Sequence, residues 1–107
     1  MPTRKKPIRA RTFKHTNPAL QLRDLANVGP ATLGDLHQLG IRTLRQLARR
    51  DALALYRLLC RRTGKRHDPC VIDVFMAIIH QARGGKPMPW WKFTAERKRL
   101  VTGQIRP

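Results

Sequence analysis

Apolar side chains recur along this chain three or four positions apart, in short runs divided by glycine, proline and capping residues, which is the spacing of amphipathic helices. Leu22 and Leu25 supply the inner side of a first short helix, with Asn17 as its cap and Pro18 in its first turn. After the loop Asn27-Val28-Gly29-Pro30, a second helix is expected over about residues 31 to 39, ending at Gly40. Ile41 turns toward the core, and Thr43 caps a third helix carrying Leu44 and Leu47. Asp51 reads as a further cap, so residues 43 to 62 divide into two helices with a bend at Arg49 to Asp51. Tyr56, Leu55, Leu58 and Leu59 form the buried side of the fourth, which Gly64 closes. Asp68 as cap and Pro69 in the first turn then start the most hydrophobic helix, with Val71, Ile72, Val74, Phe75, Ile78 and Ile79. That segment is the predicted central helix, and Gly84-Gly85 ends it. Beyond the proline-rich turn come Trp90, Trp91 and Phe93, and residues 95 to 100 form either a short helix or part of a basic tail. The pattern predicts an all-α fold: a compact bundle of about five helices.

Length and charge narrow what such a bundle can do. At 107 residues one domain is expected, with a modest core and no room for a second. Lys and Arg number 23 against six acidic residues, a formal net charge of +17. Eligible partners are therefore nucleic acid, ribosomes, acidic proteins or anionic surfaces. No apolar run approaches the roughly 20 residues that span a bilayer, and the start lacks the apolar stretch of a secretory signal, so a cytoplasmic protein without membrane contact is expected. Residues 1 to 17 carry Arg4, Lys5, Lys6, Arg9, Arg11 and Lys14 with little to anchor them, and read as a flexible, disordered basic arm. The folded domain is expected over residues 18 to 93, and a basic tail over 94 to 107.

Residues 22 to 36, LRDLANVGPATLGDL, read as two short helices folded back around a tight loop. Gly29 is expected to take the backbone angles of the reversal, and Pro30 starts a helix without wasting an amide donor. Amides near Gly29, Ala31 and Thr32 then point outward at the positive end of the helix dipole, where one phosphate can bind. The segment resembles the helix-hairpin-helix motif of DNA-binding and repair proteins, which usually has a second glycine where this chain has Asn27 and an alanine where it has Leu33. Asn27 can adopt the left-handed conformation, so the turn is expected to survive. Arg42, Arg45 and Arg49 lie three and four residues apart and line one side of the third helix, a phosphate-gripping edge. Arg57, Arg61 and the arm residues Lys5, Lys6, Arg9 and Arg11 would neutralise neighbouring phosphates. The turn at Leu39 to Thr43 is the candidate second loop against the duplex.

A wider resemblance rests on the order NVGPAT, LGIRTLRQL, ALALYRLLC, HDPCVIDVF and PWWKF, with HDPCV and PWW the most specific pieces. Over residues 19 to 93 the chain resembles the bacterial pathogenicity locus, or mitomycin-resistance-type, family. Residues 22 to 62 are also similar to the C-terminal domain of TfoX-type competence regulators. These resemblances imply a helix-hairpin-helix (SAM-like) bundle and a DNA-binding character.

Cys60, His67, Cys70 and His80 are the residues to weigh for metal or thiol chemistry. His67-x-x-Cys70 has a usable spacing for zinc, but no Cys-x-x-Cys knuckle accompanies it, and His80 lies close to three helical turns beyond Cys70. Buried free thiols account for Cys60 and Cys70 more simply. Cys70 in the first turn of a helix, three residues after His67, is the alternative site of thiolate chemistry, opposed by the nearby carboxylate of Asp68. Trp90 and Trp91 either lock the C-terminal segment onto the core or stack on bases. Asp73, an acid early in an apolar helix, favourably meets the dipole there and is expected to pair with an arginine such as Arg62 or Arg66. No phosphate loop, carboxylate cluster or nucleophile-base set is present, so neither an enzyme nor a cofactor is expected. The leading expectation is sequence-nonspecific binding of double-stranded DNA. The alternatives are an RNA or acidic-protein interaction module, or a thiol or metal protein centred on Cys70.

Overall fold

The computed structural model describes residues 20–105, with side chains to residue 102. The arm residues Lys5, Lys6, Arg9 and Arg11, and the cap Asn17-Pro18, lie outside the described residues. Among these the chain is all-α, with no strand. A 3-10 turn at Leu22–Asp24 precedes α1 (Pro30–Gln38), α2 (Leu44–Ala48), α3 (Ala52–Thr63) and α4 (Cys70–Ala82); a second 3-10 turn at Trp90–Phe93 leads into α5 (Thr94–Ile105).

Local caps set most of these boundaries. Thr43 Oγ1 accepts from Gln46 N at 3.1 Å while Gln46 Oε1 accepts from Thr43 N at 3.2 Å, a capping box that starts α2. Asp51 Oδ2 accepts from Ala54 N at 2.9 Å and starts α3 after the expected bend. Gly64, at φ +72°, closes α3 in the left-handed conformation that favours glycine. Asp68 Oδ1 accepts from Cys70 N at 2.8 Å at the head of α4.

The core is a single apolar cluster around α4. Ile72, Phe75, Ile78 and Ile79 are buried there against Leu36 and Leu39 of the α1 end, Ile41, Leu47 of α2, and Leu55 and Leu59 of α3. α4 packs on α2, α3, α5 and the Trp90–Phe93 turn, as expected of the central helix. Arg83, just past α4, donates through Nε to Ala48 O at 2.8 Å and through Nη2 to Arg50 O at 3.2 Å, satisfying carbonyls at the open end of α2.

Three expectations are corrected. The described part of the first hairpin helix is only the single 3-10 turn at Leu22–Asp24. Residues 94–105 form the full helix α5, where the sequence suggested a short helix or a tail. Its weak amphipathicity hid it, because it docks through a charge. Asp73, wholly buried on α4, pairs with an arginine as expected, but with Arg97 and not Arg62 or Arg66: Arg97 Nε lies 2.8 Å from Oδ1, and Thr94 Oγ1 donates to Oδ2 at 2.7 Å. Arg62 instead reaches Gln38 O at 2.8 Å, at the end of α1.

Candidate nucleic-acid interface

The loop before α1 has an open set of donors. The first intrahelical amide is Leu33 N, bonded to Gly29 O at 2.9 Å, so the amides of Ala31 and Thr32 precede any helical acceptor. Ala31 is exposed and Thr32 half-exposed. Gly29 caps the helix at φ −103°, an ordinary angle, and a Cβ there would meet no atom within 4 Å. The reversal is made by Asn27 at φ +72°, the only non-glycine with positive φ among the described residues. The expected assignment of the strained angle to Gly29 is thereby corrected, while the left-handed Asn27 is as expected.

Asn27 is also a tie across the fold. Its Nδ2 donates to Met88 O at 2.7 Å, and its Oδ1 accepts from Trp90 N at 3.2 Å. Ala26 N donates to Gln81 Oε1 at 3.0 Å, fixing the same loop to the end of α4. Val28 is half-buried against the core. The loop is therefore rigid by construction, with Asn27 and Val28 turned to structure and Gly29, Ala31 and Thr32 facing outward.

The turn at Leu39 to Thr43 differs. Each of its amides has an internal acceptor: Leu39 N with Asp35 O at 3.0 Å, Gly40 N with His37 O at 3.0 Å, and Ile41 N with Leu36 O at 2.9 Å. Arg42 N and Thr43 N both donate to Gln46 Oε1, at 2.7 and 3.2 Å. With no amide left to offer, this turn does not form a second backbone cradle. It contributes side chains alone.

Those side chains are arginines. Arg42, Arg45 and Arg49 are exposed, before, within and at the end of α2. Arg42 shares a cleft of about 360 Å³ with Arg23, His37 and Thr43, where the Leu22–Asp24 turn faces the start of α2. Arg23 was not singled out in the sequence, because only the folding of the first turn onto α2 brings it beside Arg42. Arg57 and Arg61 stand apart from that cleft. They rim a second one of about 400 Å³ with Arg66, over a floor that includes Leu53, Tyr56 and Ile72. The structure thus places Arg42 on one cleft and Arg57 and Arg61 on another.

The cysteine and histidine residues are tied up individually. His67 Nε2 lies 2.8 Å from Thr63 Oγ1, its backbone N–H points at Cys60 Sγ at 3.5 Å, and its carbonyl accepts from the Tyr56 hydroxyl. Among the described residues no three His, Cys, Asp or Glu side chains gather where a metal could sit. Cys60 and Cys70 are free, half-buried thiols. The hydrogen bond of Cys70 to Asp68 raises its thiol pKa, aided by burial and by the nearby carboxylate charges of Asp68 and Asp73. The same contact, with the Cys70 backbone amide as the larger cause, lowers the carboxyl of Asp68. Position in the first turn of a helix would favour a thiolate, and the adjoining carboxylate outweighs it.

The pathogenicity locus (Cdd1) family model matches residues 15–99, a span that contains α1 to α4, the aromatic turn and the first half of α5. The chain belongs to the pathogenicity locus family. It is 40% identical over 83 residues to the mitomycin resistance protein McrB of Streptomyces lavendulae, covering 78% of this chain and 79% of that protein. No solved structure matches. The matched span takes in the Asn27 to Thr32 loop and Arg42, Arg45 and Arg49 of this pathogenicity locus protein. No helix among the described residues is long and apolar enough to cross a membrane.

Proposed function

We propose that this pathogenicity locus protein binds double-stranded DNA through its phosphates, with little sequence preference, using a helix-hairpin-helix-like loop as a single anchor. The observation that carries the reading is the exposed N-terminus of α1: the outward amides of Ala31 and Thr32 on a loop fixed by Asn27, within a chain of net charge +17. A helix start of this kind offers paired donors and partial positive charge to one phosphate. Arg42, Arg45, Arg49 and Arg23 then meet the neighbouring phosphates, and such contacts hold position without reading bases. Arg57, Arg61 and the basic arm add diffuse attraction from other sides. The cap at Gly29 is open, with no atom within 4 Å of where a Cβ would stand, which suits close approach of a ligand. This activity belongs in the cytoplasm, where the two free cysteines would also stay reduced.

The test is a titration of the full chain against duplex DNA, single-stranded DNA and duplex RNA at two salt concentrations. Duplex DNA of unrelated sequences is expected to bind with equal affinity that falls steeply with salt. Preference for duplex RNA, or no duplex binding at low salt, would overturn the reading. A protein partner that survives nuclease treatment would favour an interaction module.

A further inference from the structure

Trp91 is the largest exposed apolar side chain among the described residues, 60% accessible where Trp90 beside it is half-buried. The two tryptophans divide the roles the sequence left open. Trp90 is the lock: its backbone N–H bonds to Asn27 Oδ1 at 3.2 Å, and it lies on the turn that packs along α4. Trp91 is held by that lock without being buried by it. Its ring meets Trp90 edge-on, with centroids 5.8 Å apart and planes at 83°, an arrangement that fixes the indole while leaving much of it open. Exposed Lys92 follows it.

Leaving an indole in water forgoes a large apolar gain, which a stacking partner would recover. Asn27 says which contact. Its two bonds, to Met88 O at 2.7 Å and to Trp90 N, join the aromatic turn to the same loop whose amides face outward two to five residues later. Traced through Asn27, the backbones of Gly29 and Trp91 are at most about 20 Å apart, which a nucleic-acid strand rising 3.4 Å per residue covers in about six nucleotides. One short stretch of DNA is therefore long enough to span both features. Inside an intact duplex the base faces are stacked on each other and closed to an indole. An unpaired base offers its face freely, and aromatic stacking accepts any base.

We infer that Trp91 stacks on an unpaired base, so that the preferred substrate is DNA in which single-stranded nucleotides adjoin a duplex. This rests on the phosphate-anchor reading of the α1 loop. The amides and arginines hold the duplex side, and Trp91 and Lys92 receive the strand where pairing ends.

The experiment compares the full chain with Trp91→Ala and Trp91→Phe, on a blunt duplex, on the same duplex with a single-stranded overhang at either end, and on the overhang strand alone. Affinity is followed by anisotropy, and stacking by quenching of tryptophan emission. The unaltered protein is expected to prefer the overhang duplex about ten-fold, Trp91→Ala to lose that preference while changing blunt-duplex affinity by less than about two-fold, and Trp91→Phe to keep most of it. Quenching should appear with the overhang and shrink in Trp91→Phe. Binding of blunt and overhang duplexes alike, or an equal loss on both in Trp91→Ala, overturns the role of Trp91 and leaves the anchor reading standing. Absence of binding to any of these DNAs overturns both.

Discussion

A carboxylate as deeply buried as Asp73 survives folding only if its charge is answered, and α5 supplies the answer through Thr94 and Arg97. The pair also explains how a helix with little apolar face is held: Arg97, itself largely covered, is pinned in its charged state by the hydrogen bond to Asp73. Removing one partner strands the other. Arg97→Met is expected to lower unfolding free energy by about 3 to 5 kcal/mol in urea titrations, whereas Asp73→Leu combined with Arg97→Met should recover most of the loss. If the double variant is no better than the single one, docking of α5 does not depend on this pair. Asp68 and Cys70 form a second coupled pair. The Asp68 carboxyl is lowered by the Cys70 contact, so its stabilising contribution is complete above its ordinary value near pH 4 and fades as pH falls through the lower folded value. The Cys70 thiol is raised, so its contribution holds at neutral pH and is lost only as pH rises through the higher folded value. In a Cys60→Ser background, Cys70 should therefore react with a thiol reagent more slowly at pH 8 than a free cysteine, with reactivity increasing in Asp68→Asn. Rapid reaction in the parent would reopen a thiolate role.

At the scale of elements, the loop between the first turn and α1 is the working part, and Asn27 is its keystone. Asn27→Gly keeps the left-handed angle but removes the bonds to Met88 and Trp90, at a cost of about 1 to 2 kcal/mol. Asn27→Ala adds the strain of a left-handed alanine and should cost about 2 to 4 kcal/mol, an order readable from paired urea melts. Equal losses would show that the angle carries no strain. The same loop shows what was legible in the sequence. Thr43, Asp51 and Gly64 mark their helix ends because a cap acts within three or four residues, and the apolar period of α4 makes it central. The left-handed Asn27 was readable from residue type together with the motif glycine it replaces. Its grip on Met88 and Trp90, more than 60 positions away, was not, and neither was the choice of Arg97 as the partner of Asp73 or the placing of Arg23 and Arg42 on one cleft. Such partners are chosen by tertiary packing, and several arginines competed for each role. The Leu39 to Thr43 turn misled for a related reason: Gln46 reads as an ordinary helix residue, yet its side chain consumes the amides of Arg42 and Thr43.

For the molecule as a whole, charge attracts and geometry selects. A net charge of +17 draws any polyanion, so affinity alone would not distinguish a built interface from diffuse attraction. The proposed contact set, Arg23, Arg42, Arg45 and Arg49 together with the α1 amides, makes a sharper claim than the total charge does. With about four arginine-phosphate pairs, log affinity for duplex DNA should fall against log salt with a slope of about −3.6. The decisive measurement is that slope for the full chain and for Arg42→Glu combined with Arg45→Glu, on two unrelated duplex sequences, beside a control reversing Arg57 and Arg61 in the other cleft. The account predicts that the Arg42 and Arg45 reversals cut affinity on both sequences alike and bring the slope to about −1.8 or shallower, with a smaller effect from the control. Unchanged affinity and slope in the Arg42 and Arg45 variant, or a larger loss in the control, would contradict it.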